Sequence, residues 1–383
     1  MHYPDSSLSQ HEVMRKVVDK NIIDNIASRI DTLIQEARNH VSRAVNVTEV
    51  MTKFEIGRIL IEVIQDGEVR ATYGKQLLKG ISEILLKRFG SGWSSDTLER
   101  CRTFYQVYSK SATPLWKFFE EDKGGERNLE LKEKSATPLR KSAQTSPNLL
   151  SWSHYLILMR VESDDERNFY EIETKKQNWS VRQLQREVAS SLYERLALSR
   201  DKDGVMRLAR EGQIIEKPED LLKNPLTLEF LGLKQETIYS ESKLETAIIN
   251  KLQNFMLELG KGFLFEARQK RFTFDEEHYY VDLVLYNRLL QCYVLIDLKV
   301  GRLTHQDLGQ MQMYVNYYDR YVKEDFEKPT IGILLCKEKK DTLVELTLPI
   351  DSNIYAQQYA LYLPDKKLLQ NKLKEWIGES ERV

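Results

Sequence analysis

Two short runs, YYVDLVLY (residues 279–286) and CYVLIDLKV (residues 292–300), carry charged residues inside stretches rich in Val, Ile, Leu and Tyr. Such composition suits a pleated, largely buried strand, where a charge needs a partner or a task. Side chains alternate along a strand, so Tyr293, Leu295, Asp297 and Lys299 project from one face. The stretch from Asn287 to Gln291 is short enough for a hairpin. An even-numbered loop would bring Asp282 onto the same face, opposite or diagonal to Asp297; an odd loop or a bulge would turn it away.

On the even register two carboxylates and one ammonium converge. Crowded carboxylates raise one another's pKa unless a cation lies between them, and hard oxygen ligands suit Mg²⁺ or Mn²⁺. An ion beside a lysine suits phosphodiester hydrolysis. The ion polarises the phosphoryl oxygen and acidifies bound water, while Lys299 orients that water and stabilises developing negative charge. The plain alternative is a structural salt bridge between Lys299 and one acid, a reading that would serve for a single Asp. Three such residues within eighteen positions favour the site.

The string D-x14-D-x-K resembles the PD-(D/E)XK nuclease signature, with Asp282, Asp297 and Lys299 on its three positions. GQMQMY supplies Gln310 and Tyr314, similar to the Q-x-x-x-Y motif of nucleases related to the RecB exonuclease domain. In order along the chain, YGKQLL, WSHYLILMRV, RNFYEIE, NWSVRQLQREV, KNPLTLEFLGL, ESKLE, FMLELGKGFLF, VDLVLY, LIDLKVG, GQMQMYVNYYDR and IGILLC resemble the YhcG-type family of bacterial nucleases. Two departures are Val281, where the motif has proline, and Asp297, the shorter of the two permitted acids. The resemblance implies an α/β restriction-endonuclease-like C-terminal domain of order α-β-β-β-α-β. It implies metal-dependent hydrolysis of nucleic acid, DNA foremost, with Asp282 and Asp297 holding Mg²⁺ or, in its place, Mn²⁺. Gln310 and Tyr314, four apart on one helix face, would position a phosphate or the ion's water shell.

Glu245 is a further candidate. Residues 242–259 read as a helix whose apolar face is formed by Leu244, Ile248, Ile249, Leu252, Phe255, Met256 and Leu259, and Glu245 falls inside that face. In the resembled fold an acid on the first helix reaches the metal, which would make Glu245 a third ligand and a catalytic residue. Ser242 and Glu245 also have capping-box spacing. The basic run Arg268, Lys270 and Arg271 suits substrate phosphates or a solvated hairpin end equally. The rival function is a nucleic-acid-binding or scaffolding protein that keeps the fold without cutting.

Lys+Arg and Asp+Glu number 57 and 58 in 383 residues, a net charge of −1, so any nucleic-acid groove is a local patch. The three cysteines, Cys101, Cys292 and Cys336, lack metal or disulfide spacing and suit a reducing cytoplasm. No apolar run reaches eighteen residues, so no membrane segment is expected, and no G-x-x-x-x-G-K-[ST] marks a nucleotide-binding loop.

Five segments are expected: a helical N-terminal domain (1–110), an exposed connector (111–150), a helical segment (151–200), a linker (201–225) and the nuclease-like domain (226–383). In the first, Ile22, Ile26, Ile30, Ile34 and Ala37 form one stripe of a long amphipathic helix, followed by helices at 47–64 and 73–89 and another capped by Ser94 or Ser95. These helices could form a winged-helix-like reader or a bundle that makes a homodimer. The connector contains KSATPL twice, from Lys110 and from Lys134, and an aromatic cluster of Trp116, Phe118 and Phe119. Arg182 and Arg186, one turn apart, could grip phosphates or pair with Glu187 or Glu194. Gly204, Gly212, Pro218 and Pro225 mark the linker.

Overall fold

The computed structural model describes residues 10–65, 71–109, 149–233, 239–349 and 351–379. The expected connector lies almost wholly outside the described residues, with its KSATPL repeat and aromatic cluster. The chain forms two compact units, Met1–Arg160 and Val161–Val383. The break therefore falls inside the expected helical segment 151–200, ahead of most of its helices.

In the first unit the described elements are the helices α1 (Gln10–Gln65), α2 (Ala71–Phe89), α3 (Ser95–Tyr108) and α4 (Trp152–Leu158), with a 3₁₀ turn at Ser91–Trp93. Where a separate helix was expected at 47–64, α1 runs on unbroken, because no Gly or Pro interrupts residues 22–56. No strand stands among the described residues of this unit, so none of them forms a β-wing. Ser94 caps α3 by accepting a hydrogen bond from Thr97 N. The core is aromatic: Phe104 meets Phe54 at 5.9 Å, and Trp152 and Tyr155 each at 5.2 Å between ring centroids. Gly57 lets α1 and α3 meet, since a Cβ there would lie 2.1 Å from the Cys101 carbonyl oxygen.

The second unit begins with α5 (Asp164–Gln177), α6 (Val181–Ala189), α7 (Leu192–Ala197) and α8 (Lys202–Glu211). The stretch read as a linker is thus largely ordered secondary structure. Asp201 caps α8 through Gly204 N, Gly212 ends it with φ +74°, and Pro218 opens a 3₁₀ turn. These are signals for ending and starting helices as much as for loops, and buried Val205, Leu208 and Ala209 give α8 an inner face.

The remainder is β1 (Leu226–Thr227), α9 (Glu241–Asn250), α10 (Leu252–Leu259), β2 (Phe263–Phe274), β3 (Glu277–Asn287), β4 (Cys292–Arg302), α11 (His305–Tyr321), β5 (Ile331–Glu338), α12 (Asp341–Thr347), β6 (Ile354–Ala360) and α13 (Lys366–Glu379). The expected α-β-β-β-α-β order is present, extended by β1 and β6. One predicted helix over 242–259 becomes two, offset at Lys251. The six-stranded sheet has the order β1-β6-β5-β4-β3-β2, with β2, β3 and β4 antiparallel and the rest parallel. Alternation assigns Leu283, Leu285, Ile296 and Leu298 to the face covered by α9 and α10, and Val284 and Leu295 to the face covered by α11 and α12. Gly332 on β5 admits α11 closely, with Met311 only 2.7 Å from where a Cβ would stand.

Candidate active site

The β3–β4 register decides where the acids go. Asn287 pairs with Cys292 and Leu283 with Ile296, so the connecting loop has an even count and parity puts Asp282, one residue beyond the last pair, on the same face as Asp297. The β3–β4 pairing ends at Leu283, while the β2–β3 pairing continues to the hairpin tip at Phe274 and Glu277. The sheet forks there. With no strand opposite, Leu298 N donates instead to Asp282 Oδ2 at 2.8 Å.

On the other side of the fork, Lys299 Nζ lies 2.8 Å from Asp297 Oδ2, 3.6 Å from Asp307 Oδ1 and 3.9 Å from Glu241 Oε2. Asp307 owes its position to the cap of α11, in which Thr304 N donates to its Oδ2 at 2.8 Å. Burial pushes the Asp297 carboxyl up to about 7, Asp282 adds to the shift, and Lys299 partly opposes it. The Lys299 ammonium is held above its ordinary range, because Asp297, Glu241 and Asp307 outweigh the effect of burial.

Gln310 Nε2 donates to Tyr314 OH at 2.7 Å. The Tyr314 ring is buried among the side chains under the sheet, and its hydroxyl is pushed up to about 12 by burial and then by the charge of Asp297. Tyr314 thus lies in the field of the site. Tyr317 stacks on Phe272 at 4.1 Å, a packing role, whereas Tyr321 is exposed.

Glu245 is buried on α9, and its carboxylate is engaged by β2: Arg268 Nε donates to Oε1 at 2.6 Å and Gln269 Nε2 to Oε2 at 2.9 Å. The helix cap is Ser240, which accepts from Lys243 N, and not the expected Ser242. Gln269 Nε2 also donates to Asp282 Oδ1 at 2.7 Å. Lys270 and Arg271 are exposed on the same strand. Sequence reasoning missed Gln269, since glutamine on an edge strand carries no signal of its own. Among the described residues no three His, Cys, Asp or Glu side chains gather into a ready-made metal cage. The donor set still fits Mg²⁺, which keeps several waters and is held through one or two carboxylates. Asp282 and Asp297 supply these, and the raised Asp297 carboxyl is what a cation would relieve.

One consequence concerns the metal-free protein. A carboxyl whose folded pKa is raised from 3.8 to about 7 favours folding fully below 3.8, and that contribution is lost as pH rises through about 7. In EDTA, Asp297→Asn is expected to be the more stable protein at pH 8, by on the order of 2 kcal/mol. At pH 4 the two should melt together. Thermal melts at both pH values check this; a mutant less stable than wild type at pH 8 would contradict the assigned strain.

A forked sheet with paired acids, a lysine two residues beyond the second, and a helix crossing from β4 to β5 defines a PD-(D/E)XK-type nuclease domain. Comparison with known proteins agrees: residues 219–374 match the family described as YhcG PDDEXK nuclease domain, and residues 29–195 match the DUF1016 N-terminal domain. The protein of Escherichia coli (strain K12) named "Putative nuclease YhcG" is 37% identical over 351 residues, covering 89% of this chain and 91% of that protein. The chain belongs to the YhcG family. Two solved structures are also similar in part. A repair endonuclease from Pyrococcus abyssi is 16% identical with a TM-score of 0.22, over 34% of this chain and 50% of that one. An EndoMS–dsDNA complex is 17% identical with a TM-score of 0.23, over 35% and 50%. No helix among the described residues is long and apolar enough to cross a membrane.

Proposed function

We propose that the chain is a metal-dependent nuclease that hydrolyses phosphodiester bonds in nucleic acid, with DNA as the substrate and Mg²⁺ as the ion, Mn²⁺ substituting. The observation that carries this reading is the pair of acids on one face of the fork, with the Lys299 ammonium 2.8 Å from the second. Asp282 accepts from Leu298 N and Gln269 Nε2, but it also makes Asp297 harder to ionise, which a purely structural Lys299–Asp297 pair does not need.

Asp282 and Asp297 would hold the ion, which when bound supplies Lewis-acid polarisation of the phosphoryl oxygen and an acidified water. Lys299 holds its proton firmly and so acts as a cation and donor, orienting the attacking water and stabilising charge on the phosphate. Gln310 and Tyr314 form a donor pair on the α11 face that borders the acids. Exposed Lys270 and Arg271 offer phosphate contacts on the protruding β2–β3 hairpin.

The test is incubation of the purified chain with single- and double-stranded DNA in Mg²⁺, Mn²⁺ or EDTA. Cleavage is expected with either ion and is abolished by EDTA. Binding without cleavage under all three conditions would favour the non-cutting rival.

A second reading concerns α1, which we infer pairs with α1 of a second copy. Residues 24–39 are exposed throughout, yet Ile26, Ile30, Leu33 and Ala37 repeat at spacings of four, three and four, the seam of a two-helix coil. Sedimentation is expected to give a dimer, and Ile30→Lys with Leu33→Lys a monomer. A monomeric wild type at micromolar concentration would refute the pairing.

A further inference from the structure

Arg268 and Gln269 are neighbours on β2, and a regular strand would send their side chains to opposite faces. Gln269 instead has φ +46°, a left-handed conformation that costs a non-glycine residue roughly 1 kcal/mol. The local turn brings both side chains onto Glu245: Arg268 Nε on Oε1 and Gln269 Nε2 on Oε2, while Arg268 Nη2 also reaches Thr246 Oγ1 at 3.3 Å. Gln269 stands opposite Asp282 in the β2–β3 register, and the same amide nitrogen reaches Asp282 Oδ1.

One neutral nitrogen therefore bridges two carboxylates that a divalent ion could otherwise share, and a guanidinium lies against the more buried of them. In two-metal phosphoryl-transfer sites the ions sit about 3.5–4 Å apart and share bridging oxygens. An ion between Glu245 and Asp282 would have to break both amide hydrogen bonds and settle beside the positive charge of Arg268. The first ion breaks no such hydrogen bond, because each Asp282 oxygen accepts one here and keeps a free lone pair, although it shares Asp297 with the Lys299 ammonium.

We propose that Arg268 and Gln269 limit the site to a single divalent ion by occupying the ground between Glu245 and Asp282 where a second would bind. The proposal rests on the metal-dependent reading above. It removes Glu245 from the ligand set and makes it the anchor that fixes Gln269, and through Gln269 the Asp282 carboxylate. Arg268 and Gln269 are then positioning residues.

The experiment is titration of the metal-free full chain with Mn²⁺, following bound ion by calorimetry and by electron paramagnetic resonance. Wild type is expected to bind one ion per chain. Arg268→Ala with Gln269→Ala is expected to bind two, with the broadened spectrum of a coupled pair. Should that variant fail to fold, Gln269→Glu, which keeps the side-chain length and replaces a donor by a ligand, is expected to gain the second ion as well. A second ion already present in wild type, or a single ion in folded variants, overturns the proposal while leaving metal-dependent cleavage standing. A wild type that binds no Mn²⁺ overturns both.

Discussion

Lys299→Ala is expected to lower the rate of Mg²⁺-dependent DNA cleavage by about 10²–10³-fold, the usual loss when one preorganised donor to a developing oxyanion is removed. The same change is expected to leave Mn²⁺ affinity equal to or tighter than wild type. Both follow from the placing of the ammonium, 2.8 Å from Asp297 and 3.6 Å from Asp307. It repels a divalent ion held by Asp297, so its loss favours ion binding, while the water and the phosphate lose their donor. Asp297→Asn should behave differently, losing turnover and ion affinity together. Arginine at 299 is not expected to rescue, because a planar fork cannot occupy the space of a compact ammonium hemmed in by three acids. Single-turnover cleavage rates read beside Mn²⁺ titrations separate these outcomes. A Lys299→Ala protein that cuts at the wild-type rate would remove the lysine from the chemistry and leave it a structural counter-ion.

The acid pair was legible because strand periodicity is two: once the loop count is even, parity alone carries Asp282 to the face of Asp297. Lys299 followed by the same counting. The hydrogen-bond partners of Glu245 were not legible, since helical phase shows which way a side chain leaves its helix and not which strand it meets. Its partners depend on a left-handed residue at 269, and no glycine or asparagine announces that turn. Arg186 was read as a phosphate contact or a partner of Glu187 or Glu194; it pairs with Glu187 and Glu229, the second 43 residues away in sequence. The helix within the expected linker was not legible for a related reason. Asp201 caps and Gly212 ends a helix whose inner face depends on apolar residues scattered among charges.

Arg195→Met is expected to destabilise the second unit by about 3–5 kcal/mol, the range for breaking a buried ion pair by removing one partner. With total stabilities of about 5–15 kcal/mol for ordinary domains, that loss would leave the unit marginal. Arg195 is fully buried. Its guanidinium donates to Glu258 Oε1 at 2.5 Å, to the Ser190 carbonyl at 2.8 Å and to the Pro225 carbonyl at 3.2 Å, so one side chain ties the α6–α7 turn to α10. Thr227 N donates to the same Glu258 oxygen at 3.0 Å, Lys223 Nζ to the Glu258 carbonyl, and Arg186 Nη2 lies 3.7 Å from Oε2. Burial pushes the Glu258 carboxyl up, but Arg195 and Lys223 together outweigh it and hold it at about 2. A carboxyl depressed from 4.5 to about 2 contributes stability above 4.5 that is lost as pH falls through about 2, an acid-labile share of roughly 3 kcal/mol. Arg195→Met leaves that charge buried without its main partner. Replacing Glu258 by Met as well removes the orphan, so the double variant is expected to recover at least half of the loss and to lack this acid-labile share. Urea denaturation of the two single variants and the double at pH 7 and pH 3 decides it. Additive losses in the cycle would show that the two side chains contribute independently, and that no Arg195–Glu258 coupling ties the α6–α7 turn to α10.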